Sequence, residues 1–192
     1  MLLRELQKRL AGLYDAPAEH DVYDFLITDA AHAAALQGAA AAPPTDEQLL
    51  VVEEEDGVGI SLYLDRAVIE RLAERCPLQS LSEDNLGDFC TALEGVSHFH
   101  YFVWSAGMAR HVSLLELELQ AEVDKYASAL QLMLQQRDGR FPGELFERLF
   151  DRTGFLPHLP PQERTRYEEA HRFAARFCRR LEERFLRRRQ AR

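Results

Sequence analysis

Apolar residues recur at three- and four-residue steps along most of this chain, and the two most persistent stripes are neighbours in sequence. At about 100° per residue, Leu86, Phe89, Leu93, Val96 and Trp104 share one face of a helix predicted from about residue 83 to 106. Leu115, Leu119, Val123, Tyr126, Leu130 and Met133 share a face of a second helix, from about 114 to 136. Ser82 is placed to cap the first, and Ser113 with Glu116 three residues later forms a capping box for the second. Residues 107–112 supply the turn, so the pair is predicted to fold back on itself, antiparallel. Each stripe contains a titratable group: His100 in the middle of the first, Glu122 within the second, with Glu118 at its edge. A turn centred near Arg110 brings His100 level with Ala121 and Glu122. A buried carboxylate without a partner costs several kcal/mol. A His100–Glu122 hydrogen bond is therefore expected, with Ser97 or Tyr126 as further members.

Before this pair the periodicity changes twice. Leu2, Leu3, Leu6, Leu10 and Leu13 mark a short helix over residues 2–14, and Pro17 ends it. Val22, Phe25, Leu26, Ala30, Ala33 and Leu36 predict a second helix from about Ala18 to Gln37, with His20 and His32 at polar positions. The small-residue and proline stretch at residues 38–45 reads as a loop. Two β-rich runs then flank Asp56-Gly57, a pair that favours a tight hairpin turn. That turn predicts the register Glu53 with Ile60, Val51 with Leu62 and Leu49 with Leu64, within a hairpin spanning about 49–64. Leu50, Val52 and Tyr63 on its other side are not polar either, so both faces call for cover. An isolated two-stranded hairpin is only marginally stable. Asp65 caps a helix over about Ala67–Arg75, with Val68, Ile69 and Leu72 inward.

After the pair, Asp138-Gly139 ends the second long helix. A short helix is predicted over Glu144–Phe150, then a proline-rich loop to residue 161. A last helix runs to about Arg187, with Tyr167, Ala170, Ala174, Phe177, Cys178, Leu181 and Phe185 on its buried face. The fold class that follows is α+β, predominantly α-helical: a helical bundle built on the central antiparallel pair, with one β-hairpin. The expected organisation is a single α-rich domain over 1–192. It has N-terminal helices at 1–37, the hairpin at 48–64, a helical core at 82–178 and a basic tail at 179–192.

Composition narrows the function classes. Hydrophobic residues make up 46% of the 192 positions, enough for a core, and no apolar run approaches the roughly 20 residues of a membrane span. The charged, helical N-terminus is unlike a secretory signal, so a cytoplasmic protein is expected. Arginine with abundant alanine suggests a bacterial source. Cys76, Cys90 and Cys178 lie far apart in an odd count, which fits buried free thiols rather than a disulfide framework. The net charge of −9 argues against general nucleic-acid binding. The balance reverses after residue 178, however, where seven arginines stand against Glu182 and Glu183. Among them Arg184, Arg187, Arg188 and Arg189 are candidates for contact with phosphate or an acidic partner.

Three helical pairs could carry chemistry. Glu94 and His98 lie one turn apart on the first long helix, Glu118 and Glu122 on the second, and Glu168 and His171 on the last. Glu-x-x-His is half of the ligand pattern of di-iron bundles, but only one such pair occurs. His100, Glu122, Glu118, Glu94, His98 and His171 are thus the candidate ligands for a divalent metal, a cofactor less favoured than none. The phosphate-binding glycine loops, the nucleophile-elbow pattern and zinc-finger spacing are all missing from the sequence. The expectation is a small protein-interaction or regulatory protein with a protein partner or a homodimer. The competing readings are a metal-dependent hydrolase or oxidoreductase using the His/Glu groups, and nucleic-acid binding through the arginine-rich end.

Overall fold

The computed structural model describes residues 1–37, 45–54, 57–152, 154 and 160–186. It is predominantly helical α+β, and the chain divides into two compact units, Met1–Arg110 and His111–Arg192. The boundary falls in the turn between the two long helices, so α4 (Glu83–Gly107) and α5 (Leu114–Gln136) belong to different units.

In the first unit α1 (Leu2–Tyr14) buries Leu3, Leu6 and Leu10 and ends on Asp15 in the left-handed conformation. The continuous helix expected over 18–37 does not form. Asp21 instead caps a single 3₁₀ turn, Val22–Phe25, its side chain accepting from the Tyr23 amide at 3.0 Å. The buried Gln7 of α1 clamps this connector: its Nε2 donates to the His20 carbonyl at 2.8 Å and its Oε1 accepts from the Val22 amide at 3.1 Å. Those backbone groups are thereby taken from a helical ladder. The chain continues as a short strand, β1 (Leu26–Ile27). Only then does α2 (Ala30–Gln37) begin, with Asp29 accepting from the His32 amide at 2.9 Å.

The predicted hairpin is present as β2 (Glu47–Glu54) and β3 (Gly57–Leu64), and β1 adds a parallel third strand in the order β1-β3-β2. Its register differs by two residues from the expected one. Glu54 pairs with Gly57, so Val51 meets Ile60, Leu49 meets Leu62 and Glu47 meets Leu64. Asp56 lies outside the described residues. A slip of two preserves the face of every side chain, so Leu62 and Leu64 remain buried as expected, but Glu47 now joins their face. On the opposite face Leu50 and Tyr63 pack with Ala33 of α2 and Ile27 of β1. Both faces of the sheet are covered at this end, as their apolar composition demanded.

α3 (Arg66–Glu74) starts on the Asp65 cap, whose side chain accepts from Ala67 N at 2.7 Å. Arg71 grips Asp88 of α4 through two hydrogen bonds of 2.9 and 2.6 Å. At the start of α4 the buried Asn85 accepts from the Ser82 amide and donates to the carbonyls of Arg75 and Ser80. Within its unit α4 packs against α1, α3, β2 and β3.

In the second unit the Ser113–Glu116 capping box forms as predicted, and α5 runs over the expected residues. Of the predicted stripe, Tyr126 and Met133 are fully buried. Leu117, Ala121, Asp124, Ser128 and Leu132 are buried, whereas Leu115, Leu119, Val123 and Leu130 are half-buried. Asp138 and Gly139, both at positive φ, close the helix. A π-turn at Glu147–Asp151 stands where a short α-helix was predicted, and its Phe150 packs with Phe146 on the buried ring of Tyr126. α6 (Pro161–Leu181) packs on α5 through Ala170, Ala174 and Cys178, and a π-turn, Glu182–Leu186, continues it. Phe177, expected on the buried face, is exposed, because the buried row follows every fourth residue and Phe177 lies one position off it.

Gly95 of α4 packs tightly under side chains of the sheet. A Cβ there would lie 2.8 Å from Leu62 Cδ1 and 2.9 Å from Glu47 Cγ. Gly87, on the same helix, has nothing within 4 Å of that position. Gly95→Ala is therefore expected to destabilise by about 1–2 kcal/mol, overpacking outweighing the gain in helix propensity. Gly87→Ala should stabilise by up to ~1 kcal/mol. Urea midpoints moving in the same direction for both variants would contradict this packing.

Candidate functional site

The six candidate metal ligands are divided between the units: Glu94, His98 and His100 in the first, Glu118, Glu122 and His171 in the second. His98 and His100 are about 200° apart around α4 and meet different surroundings. His98 is buried with its Nδ1 3.4 Å from Glu47 Oε1, and Glu94 is half-buried one turn before it. Glu47 escaped the sequence reading because the expected hairpin register began at Leu49.

His100 turns toward the connector after α1. It donates to the Ala16 backbone carbonyl, and it is 6% exposed. Its other ring nitrogen, Nε2, is buried, and no group of the described residues bonds to it. The Nδ1 proton therefore makes the Ala16 bond, and Nε2 carries a lone pair. Burial lowers the His100 pKa below the ordinary histidine value, and the Ala16 carbonyl offsets this only in part. The ring is neutral and presents an acceptor. His100 is one of the residues around a cleft of about 240 Å³, with Trp104, Val103, Glu19 and His20. The signal for this cleft in the sequence was Gln7, a polar residue inside the leucine stripe of α1.

The second unit uses its histidine in the opposite way. His171 Nδ1 lies 2.7 Å from Glu122 Oε2 and Nε2 lies 3.0 Å from the Phe150 carbonyl. Two acceptors on one imidazole require both nitrogens to carry protons, so the ring is the cation. The Glu122 carboxylate is the main cause that raises the His171 pKa; burial opposes it. Burial alone would raise the Glu122 pKa, but His171 and Lys125, which also pairs with Glu122, hold it below the ordinary carboxylate value. Around this ion pair the unit places further charge. Glu118 Oε1 is 3.5 Å from Arg166 Nε, and Tyr126 donates to Glu182 at 2.7 Å. Burial, with Glu122, Glu182 and Asp124 adding to it, pushes the Cys178 thiol up to about 12. Cys178 is thus a protonated, unreactive core thiol, whereas Cys76 and Cys90 are half-buried, not buried as expected.

Within its own unit His100 bonds to the Ala16 carbonyl, and Glu122 bonds to His171 and Lys125. The sequence argument took Glu122 to need a partner, and it has two, both within its own unit. Glu168 bonds to Arg164 at 2.8 Å, so the single Glu-x-x-His pair does not act as a unit. Of the basic candidates, Arg184 is exposed, and Arg187, Arg188 and Arg189 lie outside the described residues. No helix among the described residues is long and apolar enough to cross a membrane. No family model, no curated protein and no solved structure matches the chain.

The state of His171 predicts a pH dependence. A histidine whose folded pKa is raised stabilises fully below its unfolded value, about 6.5, and loses that contribution as pH rises through the folded pKa. Glu122, with its pKa lowered, contributes above about pH 4.3 and loses this as pH falls through its folded value. His171→Leu should cost ~1.5–3 kcal/mol near pH 5.5, the range for hydrogen bonds to charged groups. The difference from the parent should shrink as pH rises beyond about 6.5. Urea unfolding at several pH values checks this, and a pH-independent difference contradicts a charged His171.

Proposed function

We propose that the chain is a small protein-interaction protein of a regulatory kind, which docks through the exposed side of α6 onto an acidic protein surface. The observation that supports this most is the pair Phe173 and Phe177. They are 43% and 49% exposed and stand one turn apart on one helix. Water-exposed aromatic rings at this spacing, flanked by arginine, are the composition of interface anchors. Arg172 lies over the Phe173 ring at 5.0 Å, and Arg176 and Arg180 are exposed beside the pair.

Charge indicates the kind of partner. Before residue 111 the chain has seven Lys and Arg against 19 Asp and Glu; from there on it has 16 against 13. The arginines concentrate on and after α6, so a like-charged face would be repelled and an acidic one drawn in. This also disfavours a symmetric pairing of α6 with α6 from a second copy, which would bring the arginines together.

The test compares the parent with a Phe173→Ser, Phe177→Ser double variant of unchanged circular dichroism. Both are crosslinked in cells that make the chain, and captured proteins are identified by mass. The expected result is one dominant acidic partner held by the parent and weakened about thirtyfold in the variant, the loss of an aromatic hot spot. Equal capture by both, or capture of nothing by the parent, would overturn the proposal.

A further inference from the structure

A larger cavity of the first unit is independent of the α6 face and has a chemistry of its own. It has a volume of about 720 Å³ and lies between the first turns of α1, Tyr23 of the 3₁₀ turn, α3 and the segment that follows α3. Small-molecule sites occupy roughly 300–1,000 Å³. The lining is graded by depth. Leu3 and Leu72 are buried, Ile69, Cys76 and Leu78 are half-buried, and Arg4 and Lys8 are exposed. An apolar, mainly aliphatic wall thus gives way to a cationic rim, an arrangement that suits an alkyl chain with a charged end.

The balance of charge sets the sign and size of that end. The unit has seven Lys and Arg against 19 Asp and Glu, yet three of the seven, Arg4, Lys8 and Arg9, line this cavity beside one carboxylate, Glu5. Arg9 Nε lies 3.4 Å from Glu5. Arg4 Nε donates to Asp21 at 2.6 Å, and its guanidinium lies 5.7 Å over the Tyr23 ring, so the group is held in place. Lys8 makes no ion pair among the described residues. Asp21 and Glu5 therefore offset two of the three cations, and one positive charge is left over. That matches a monoanion. The fixed arginine keeps further N–H donors from which a carboxylate can accept.

We infer that this cavity binds a medium-chain aliphatic carboxylate, of the fatty-acid class. The alkyl chain lies along Leu72, Ile69 and Leu78, and the carboxylate lies at the rim between Lys8 and Arg4. Every residue involved belongs to the first unit, so the inference stands or falls apart from the docking of α6.

The probe is decanoate, titrated below its micelle concentration into the full chain and followed by calorimetry. Cys76 locates the binding: it lines the cavity, whereas Cys90, also half-buried, does not. Alkylation of each thiol by iodoacetamide, with and without decanoate, is read by peptide mass. The expected result is a saturable heat, with Cys76 protected and Cys90 unchanged. Octanoate should bind about tenfold more weakly, the loss of two buried methylenes. Decylammonium, of the same length and opposite charge, should neither bind nor protect. Lys8 is exposed, so Lys8→Gln leaves the fold intact, and it should weaken decanoate roughly fivefold. No saturable heat with decanoate, protection that does not favour Cys76 over Cys90, equal binding of decylammonium, or an unchanged affinity in Lys8→Gln would each overturn the inference.

Discussion

The structure of the first unit depends on the middle of α4 being buried on all sides. Gly95 through His100 are six successive buried residues, more than one full helical turn. Such a turn has no solvent side on which to put its polar groups. Ser97, His98 and His100 must therefore find partners inside the protein, because an unmet buried donor or acceptor costs ~1–3 kcal/mol. Three features of the fold answer that demand. Gly95 lets the sheet close on the helix, the two-residue shift of the hairpin brings Glu47 to His98, and the connector after α1 brings the Ala16 carbonyl to His100. The Gln7 clamp holds that connector out of helical conformation, so a residue of the first helix indirectly sets the environment of a histidine on the fourth.

The two units solve the problem of a buried histidine in opposite ways. His171 has an acceptor at each nitrogen and is held as a cation between Glu122 and Phe150. His100 has one acceptor and a deep position, and it is held neutral. The first arrangement is closed and complete; it stabilises the packing of α5 on α6. The second leaves one nitrogen buried with no hydrogen-bond partner among the described residues. The difference lies in the number of acceptors supplied by the backbone and carboxylates nearby, not in the residue type.

Much of the fold was legible in the sequence where the signal is local. The capping residues Asp65 and Ser113, the limits of α5 and the Asp138-Gly139 stop all follow from side chains acting on the nearest backbone groups. What failed was non-local. The 18–37 segment has a helical pattern, but Gln7 and the edge of β3 compete for its backbone groups. Asp56-Gly57 suggested one hairpin register and the pairing of Glu54 with Gly57 gives another. For the site, the sequence correctly marked His100 and Glu122 as titratable groups within apolar stripes. It paired them on the expectation that adjacent stripes face each other, and it did not foresee the partners each has within its own unit, the Ala16 carbonyl for His100 and His171 with Lys125 for Glu122. Nothing in the spacing of residues pointed to Glu47 or to Glu19, since strand register and loop path decide where they sit.

The claim on which the account rests most heavily is the state of His100: neutral, protonated at Nδ1, with Nε2 bare. Ring nitrogen chemical shifts from long-range proton–nitrogen correlation, with His100 assigned by its absence in a His100→Phe spectrum, measure this directly. The account predicts at pH 7 a protonated, pyrrole-like Nδ1 and an unprotonated, pyridine-like Nε2. A protonated Nε2, whether in the other tautomer or in the imidazolium, would contradict it.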